Sequence, residues 1–359
     1  MEGLAVTGDF WFGKRVFLTG HTGFKGGWLA LWLQSMGAEV HGYALTPSTD
    51  PNFFTVANVG KHMASSTIAD IRDADLLRAV MQRAQPEIVL HLAAQPLVRY
   101  SYAQPVETYA VNVMGTVHLL EAIRATPSVK AVVNVTTDKC YENREWDWGY
   151  RENEAMGGFD PYSSSKGCAE LVTSAYRQSY LDSAGVSIAS ARAGNVIGGG
   201  DWSSDRLLPD FLRALDQGET LTIRSPNSTR PWQHVLEPLS GYMALAERLY
   251  MDGSRFAEAW NFGPLDEDAR PVKWIIERMA ALNTGVKWRL DIAPQLHEAN
   301  YLKLDSSKAN NRLNWSSQWR LQTALQKTLE WHTAWKSAED MRTVSLSQIA
   351  EYCSARDAK

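Results

Sequence analysis

The segment that most narrows the fold is Arg15-Val16-Phe17-Leu18-Thr19, followed without a break by Gly20-His21-Thr22-Gly23-Phe24-Lys25-Gly26. The first five residues read as a buried strand, and Gly27 to Met36 is a run of helix formers that Gly37 stops. Strand, glycine-rich turn and helix in this order suit a dinucleotide pyrophosphate. Gly20 allows the tight turn, Gly23 the approach of the phosphates and Gly26 the close packing of the helix. The helix N-terminus then presents unpaired N–H groups to the anion. A glycine loop with no ligand is the plainer alternative, and its place inside a β-α-β pattern argues against it. The next strand, Glu39 to Leu45, has no acid at its end where a ribose-binding carboxylate commonly stands. Ala44 to Pro47 offers no cation for a 2′-phosphate either, so NAD is favoured over NADP, which would need a charge from a distant residue.

The alternation continues. Ile68-Ala69-Asp70-Ile71 is predicted to end a third strand, with Asp70 placed to meet an adenine edge; one acid of Asp70 to Asp73 can instead, or as well, cap the helix from Ala74 to Arg83. Strand Ile88 to Leu92, helix Val106 to Arg124, strand Ala131 to Val135, helix Tyr162 to Ala184 and strand Ser187 to Arg192 follow. This pattern predicts an α/β fold with a doubly wound parallel (Rossmann) sheet, whose ligands gather at the carboxyl ends of the strands. Ala93-Ala94-Gln95, Thr136-Thr137-Asp138-Lys139 and Ala193-Gly194-Asn195 stand at three such ends. Beyond Arg192 the elements shorten. The chain is therefore read as two lobes, residues 1–192 for the cofactor and the chemistry, and 193–359 mainly a smaller mixed α/β substrate lobe with segments that can return to the first.

Tyr162 and Lys166 lie four apart at the start of a predicted helix, on one face, which puts an ammonium beside a phenol. An adjacent cation favours the phenolate and makes a base. Such pairs recur by chance on amphipathic helices; here the pair follows the second of the strand ends just named.

Through Gly20-x-x-Gly23-x-x-Gly26, His91-Leu92-Ala93-Ala94-Gln95, Asn112 and Tyr162-x-x-x-Lys166, nearly the whole chain resembles the extended short-chain dehydrogenase/reductase family. Within it, Gly13 to Gln34 and Thr137-Asp138-Lys139 are most similar to the nucleoside-diphosphate-sugar 4,6-dehydratases. The resemblance implies bound NAD, contacted by Gly20, Thr22, Gly23, Phe24, Lys25, Gly26, Asp70, Ile71, Leu92, Ala93, Ala94, Gln95, Asn112, Tyr162 and Lys166. It implies that Thr137, Tyr162 and Lys166 serve oxidation and that Asp138 and Lys139 serve water loss. For the nucleotide sugar it implies Asn195, Arg206, Arg230 and Tyr301. It further implies a homodimer or homotetramer built on the helices of Val106 and Tyr162, and a role in deoxysugar and lipopolysaccharide O-antigen biosynthesis.

The chemistry explains why such an enzyme needs an extra pair. The C5 proton of a hexose is barely acidic until C4 is a ketone, so oxidation comes first and elimination of the C6 hydroxyl then requires a separate acid and base. Asp138 and Lys139 are the candidates, either as a protonated acid with a desolvated neutral amine, which is favoured, or with the ammonium orienting a water. Related dehydratases mostly carry an acid at the position of Lys139. A solvated ion pair is the plain alternative. A 4-epimerase would share Tyr162 and Lys166 without needing the second pair, and a non-catalytic NAD-binding regulator would need none of them.

Composition agrees with a globular enzyme: 359 residues at 45% hydrophobic bury a large core. A net charge of −4 argues against nucleic-acid binding, and apolar runs are too short for a membrane span or signal region, so the cytosol is expected. Cys140, Cys168 and Cys353 are too scattered for a disulfide framework, and the eight histidines show no metal spacing. His91 is read as a buried hydrogen-bonding residue.

Overall fold

The computed structural model describes residues 8–282, 285–292 and 299–357, so the first seven and last two residues of the two predicted lobes lie outside it. Seven strands form one sheet: β1 Arg15–Thr19, β2 Glu39–Ala44, β3 Ser65–Ile68, β4 Ile88–His91, β5 Ala131–Val135, β6 Ser187–Ala193 and β7 Ala259–Phe262. Their order is β7-β6-β5-β4-β1-β2-β3, and every neighbouring pair is parallel. The winding reverses between β1 and β4, and that switch point is where a doubly wound sheet opens a crevice.

Period-two alternation builds a core on each face of the sheet. Val16, Leu18, Ile88, Leu90, Ala131, Val133, Ala189 and Ala191 join one cluster. Phe17, Val89, Val132 and Ile188, one residue out of phase, join the other. Full burial of each large side chain contributes about 1.5–3 kcal/mol. The first cluster takes in α1, Phe24–Ser35, which is apolar nearly all round because it lies beneath later parts of the chain. Trp28 on this helix stacks on Phe53 with ring centroids 4.7 Å apart and donates its indole N–H to Gly199 O at 3.0 Å.

Further helices are α2 Ala74–Ala84, α3 Gly115–Arg124, α4 Pro161–Tyr176, α5 Leu236–Asp252, α6 Leu321–Lys336 and α7 Met341–Asp357. The helix expected from Val106 starts at Pro105 and passes through a π-helical turn, Ala110–Met114, before α3. A second π turn, Arg177–Leu181, ends the helix of Tyr162. The third strand also departs from expectation: it stops at Ile68, so Ala69, Asp70 and Ile71 lie past it. Asp70 Oδ1 accepts from Arg72 N at 2.8 Å, a local turn that competes with the ladder. Asp73 caps α2, accepting from Leu76 N at 3.0 Å.

After Ala193 the chain builds a separate cluster from Leu208, Phe211, Ile223, Trp232, Ile275, Met279 and Leu325, and between Trp232 and Ile275 it sends α5 and β7 back to the main sheet. α7 packs on α1. Among the described residues no helix is long and apolar enough to cross a membrane, and no cluster of His, Cys, Asp and Glu could hold a metal ion.

Candidate active site

The carboxyl ends of β1, β4, β5 and β6 carry the predicted residues to one side of the sheet. Gly20 has φ +78°, and a Cβ there would stand 2.8 Å from Ala93 N. A Cβ on Gly26 would stand 2.0 Å from Gly20 O. Both positions therefore demand glycine, one for its conformation and both for close approach. Gly23 differs: its Cβ would meet only Gly20 O, at 3.4 Å, and it opens α1 with no side-chain cap. The loop thus has an open face beside unpaired helix N–H groups, which fits a phosphate. Thr22 Oγ1 donates to Leu45 O at 2.8 Å, and Phe24 faces Gly198.

The second loop is held just as firmly. Thr19 Oγ1 accepts from Leu92 N and Ala93 N, each at 3.1 Å, and meets His91 Nδ1 at 2.7 Å. Burial drives His91 down to about 3, so it stays a neutral hydrogen-bonding residue. Asn112, inside the π turn, accepts from Gln95 N at 2.8 Å and donates to Gln95 O and to Ser165 Oγ at 3.1 and 2.9 Å. It ties the Ala93-Ala94-Gln95 loop to the helix of Tyr162 and Lys166. Ile71 packs on Gly115, while the Asp70 carboxylate is engaged by Arg72 in an ion pair of 2.5 Å.

α4 begins under strong local signals: Asp160 caps it, accepting from Ser163 N at 2.9 Å, and Pro161 takes the first position. Tyr162 and Lys166 are both buried. Burial pushes Tyr162 up to about 12, against the opposing influence of the Thr137 hydroxyl and of Arg206. Lys166 is itself driven down to about 8 by burial, and its Nζ donates to Val135 O at 3.2 Å.

Thr137, Asp138 and Lys139 leave β5 in a single 3₁₀ turn. Thr137 Oγ1 donates to Asp138 Oδ1 at 3.0 Å. Asp138 is 2% exposed, and among the described residues its buried Oδ2 has no hydrogen-bond partner. Burial raises its carboxyl above the usual range, opposed by Lys139, the Thr137 hydrogen bond, Arg230 and Lys25. Lys139 is half-buried. Cys140 packs with Tyr141, Tyr150, Leu302 and Leu304.

On the far side, Arg206 pairs with Asp201 at 3.1 Å, and Arg230 is buried, donating to Thr229 O and to Ala299 O. Tyr301 bridges to Thr229 and donates to Asp147 O at 3.4 Å, and Asn195 O accepts from Gln233 N at 3.0 Å. Arg206 and Arg230 act electrostatically on Tyr162 and Asp138 respectively, so both guanidiniums belong to the same neighbourhood.

Sequence reasoning passed over the support behind this cluster. Glu170, one turn beyond Lys166, pairs with Arg192 at 2.8 Å with both side chains buried. Its oxygens also accept from Thr136 Oγ1 and Ser190 Oγ, each at 2.5 Å, and Arg192 Nη1 donates to Tyr141 OH at 2.8 Å. Burial pushes the Glu170 carboxyl up, yet Arg192 and these bonds hold it below the usual range. The available signal was a charged residue inside an otherwise uncharged strand. Glu170→Ala would leave Arg192 buried and unpaired, and is expected to lower stability by about 3–5 kcal/mol in urea unfolding. A loss under about 1 kcal/mol would mean that the pair behaves as a solvated one.

With this geometry in place, comparisons with known proteins are direct. A family model described as GDP-mannose 4,6 dehydratase matches residues 17–328. The chain is 57% identical to CDP-glucose 4,6-dehydratase of Salmonella typhimurium over 353 residues, 97% of this chain and 98% of that protein. It is 25% identical to dTDP-glucose 4,6-dehydratase of Xanthomonas campestris, covering 88% and 92% of the two chains. Among solved structures, UDP-glucose 4-epimerase of Thermotoga maritima matches with a TM-score of 0.76 at 21% identity, covering 90% and 99%. dTDP-glucose 4,6-dehydratase of Bacillus anthracis in complex with NAD matches at 0.73 and 20%, covering 91% and 99%. These two likenesses speak to the fold. The match to the family model across most of the sequence, together with the 57% identity, shows that the chain belongs to the GDP-mannose 4,6 dehydratase family of extended short-chain dehydrogenases/reductases.

Proposed function

We propose that the chain is an NAD-dependent hydro-lyase that converts CDP-glucose to CDP-4-dehydro-6-deoxyglucose, in a route to deoxysugars. The identity to the Salmonella enzyme supports the nucleotide. The observation that carries the reaction type is Asp138, a buried carboxyl raised by its surroundings, with one oxygen unpartnered, in electrostatic contact with Tyr162. A 4-epimerase has no use for such an acid.

When bound, NAD supplies the acceptor of hydride and later its donor. The open Gly23 face and the α1 N-terminus hold the pyrophosphate, and Lys166 holds the ribose beside it. Tyr162 takes the proton of the C4 hydroxyl while Thr137 positions that oxygen. The resulting ketone makes the C5 proton acidic. Lys139 removes it, and Asp138, kept protonated by burial, gives a proton to the departing C6 hydroxyl. Arg230 and Arg206 hold the diphosphate, with Asn195 and Tyr301 on the nucleotide. In this reading residues 1–192 supply the cofactor site and chemistry and 193–359 mainly the substrate site, in a cytosolic enzyme.

Incubation with CDP-, dTDP-, UDP- and GDP-glucose, followed by weighing of the products, tests this. Loss of one water from CDP-glucose is expected; conserved mass would make the protein an epimerase, and no turnover of any sugar would favour a binding role. Gly23→Val is expected to abolish NAD binding in calorimetry, because the added side chain fills the open face of the loop; undiminished binding would move the cofactor elsewhere. Exposed Val106, Tyr109, Met114, Leu171 and Tyr180 on the helices of Val106 and Tyr162 support at least a dimer through those helices.

A further inference from the structure

Lys25 is the second residue of α1, directly after the open face of Gly23, yet its Nζ reaches Tyr242 OH on α5 at 3.5 Å. There it lies 5.8 Å from the centre of the Tyr242 ring and interacts electrostatically with Arg206, Lys166 and Asp138. A residue of the glycine loop thus reaches the region where α4, the Asp138 turn and the Arg206 segment converge.

The neighbouring cations are all engaged. Lys166 donates to Val135 O, Arg206 is paired with Asp201, and Arg230 donates to two carbonyls. Among the described residues no carboxylate stands within ion-pair distance of Lys25, and its contact with Tyr242 is at the outer limit of a hydrogen bond. A half-buried ammonium among other cations and without a counter-ion is costly, and a protein that keeps one stabilises it with a ligand or leaves it uncharged. Burial and repulsion from Arg206 and Lys166 drive Lys25 down to about 7, with Asp138 opposing in part.

We propose that Lys25 is a proton-coupled counter-ion for the diphosphate of a bound nucleotide: it accepts a proton as the anion arrives, and the resulting ammonium is the anion's partner. The step balances, since the proton comes from solvent and is returned when the ligand leaves. The inference rests on the functional reading above and adds a task for Lys25 that the reaction itself does not require. Two diphosphates have the right chemistry, that of the dinucleotide and that of the sugar nucleotide.

The test is calorimetric. The full chain, freed of nucleotide, is titrated near pH 8 with NAD, with CDP and with inorganic pyrophosphate, each in two buffers of different ionisation enthalpy. The difference in apparent heat counts the protons taken up. Uptake on the order of one proton is expected with NAD, CDP or both, and which nucleotide produces it identifies the diphosphate that Lys25 meets. Lys25→Met should abolish the uptake and weaken that nucleotide by about tenfold or more, the worth of a charge-assisted hydrogen bond. Lys25→Arg, already charged, should abolish the uptake while binding within a few-fold of the parent. Equal proton counts in parent and both variants, or uptake with pyrophosphate alone, would overturn the assignment while leaving the functional reading intact. Failure of both nucleotides to bind the parent would overturn the two together.

Discussion

Asp138→Asn is expected to split the reaction in two. In the proposed mechanism oxidation at C4 uses Tyr162, Thr137 and Lys166, none of which is removed, so reduced nicotinamide should appear at close to the parental rate. Elimination needs a proton donor at the C6 edge of the sugar, and the amide cannot be one. Loss of a general acid costs on the order of 100 to 10,000-fold in its step, so the reduced cofactor should accumulate instead of returning its hydride. Lys139→Met should have the same result, through loss of the base. Solvent deuterium separates the two roles. The parent incorporates label at C5 of the 4-keto-6-deoxy product; Lys139→Met loses C5 exchange, whereas Asp138→Asn can exchange C5 without releasing water. Unchanged dehydration in both variants would place the elimination catalysts elsewhere.

Tyr162→Phe should act earlier and as strongly. It removes only the ionisable oxygen from a buried ring, so the fold and substrate affinity should survive, while oxidation falls by on the order of 100 to 10,000-fold. Every later step falls with it. Because burial drives the free phenol up to about 12, the rate of the parent should rise with pH through the neutral range until the surrounding cations cease to hold the phenolate. Transient absorbance of reduced nicotinamide at the parental rate in the variant would remove Tyr162 from its role.

Legibility tracked the range of the interaction. β1 and β5 have the boundaries that their apolar runs predict, because each strand is buried on both faces and its composition says so. The glycine loop was readable for the same reason: backbone sterics act between near neighbours, and Gly26 meets Gly20 six residues away. The end of the third strand was misplaced because an Asx turn at Asp70 decides it, and the pattern of apolar residues does not encode that competition. The π turn around Asn112 was invisible, since helix propensity does not distinguish a π turn from an α one. Inside the site the residue types were legible but their charges were not. The spacing of Tyr162 and Lys166 points to a phenol made acidic, whereas burial, which the spacing does not encode, pushes the phenol the other way. The Glu170–Arg192 pair joins a helix to a strand 22 residues on, and only the fold brings Thr136, Ser190 and Tyr141 around it.

The seventh strand of the sheet bears on how the chain is made. β6 ends at Ala193 but pairs along its outer side with β7, which begins only at Ala259. A ribosome must therefore polymerise more than a third of the second lobe before the first can close, and until then β6 offers an unpaired row of N–H and C=O groups. The parallel register of β7 against Ser190 to Ala193 requires the chain to travel through α5 and back, so it is a slow, long-range closure. A fragment cut after Ala193 would accordingly be no free-standing nucleotide-binding domain but a sheet with one raw edge, prone to add a strand from a neighbour. The two lobes share one folding event.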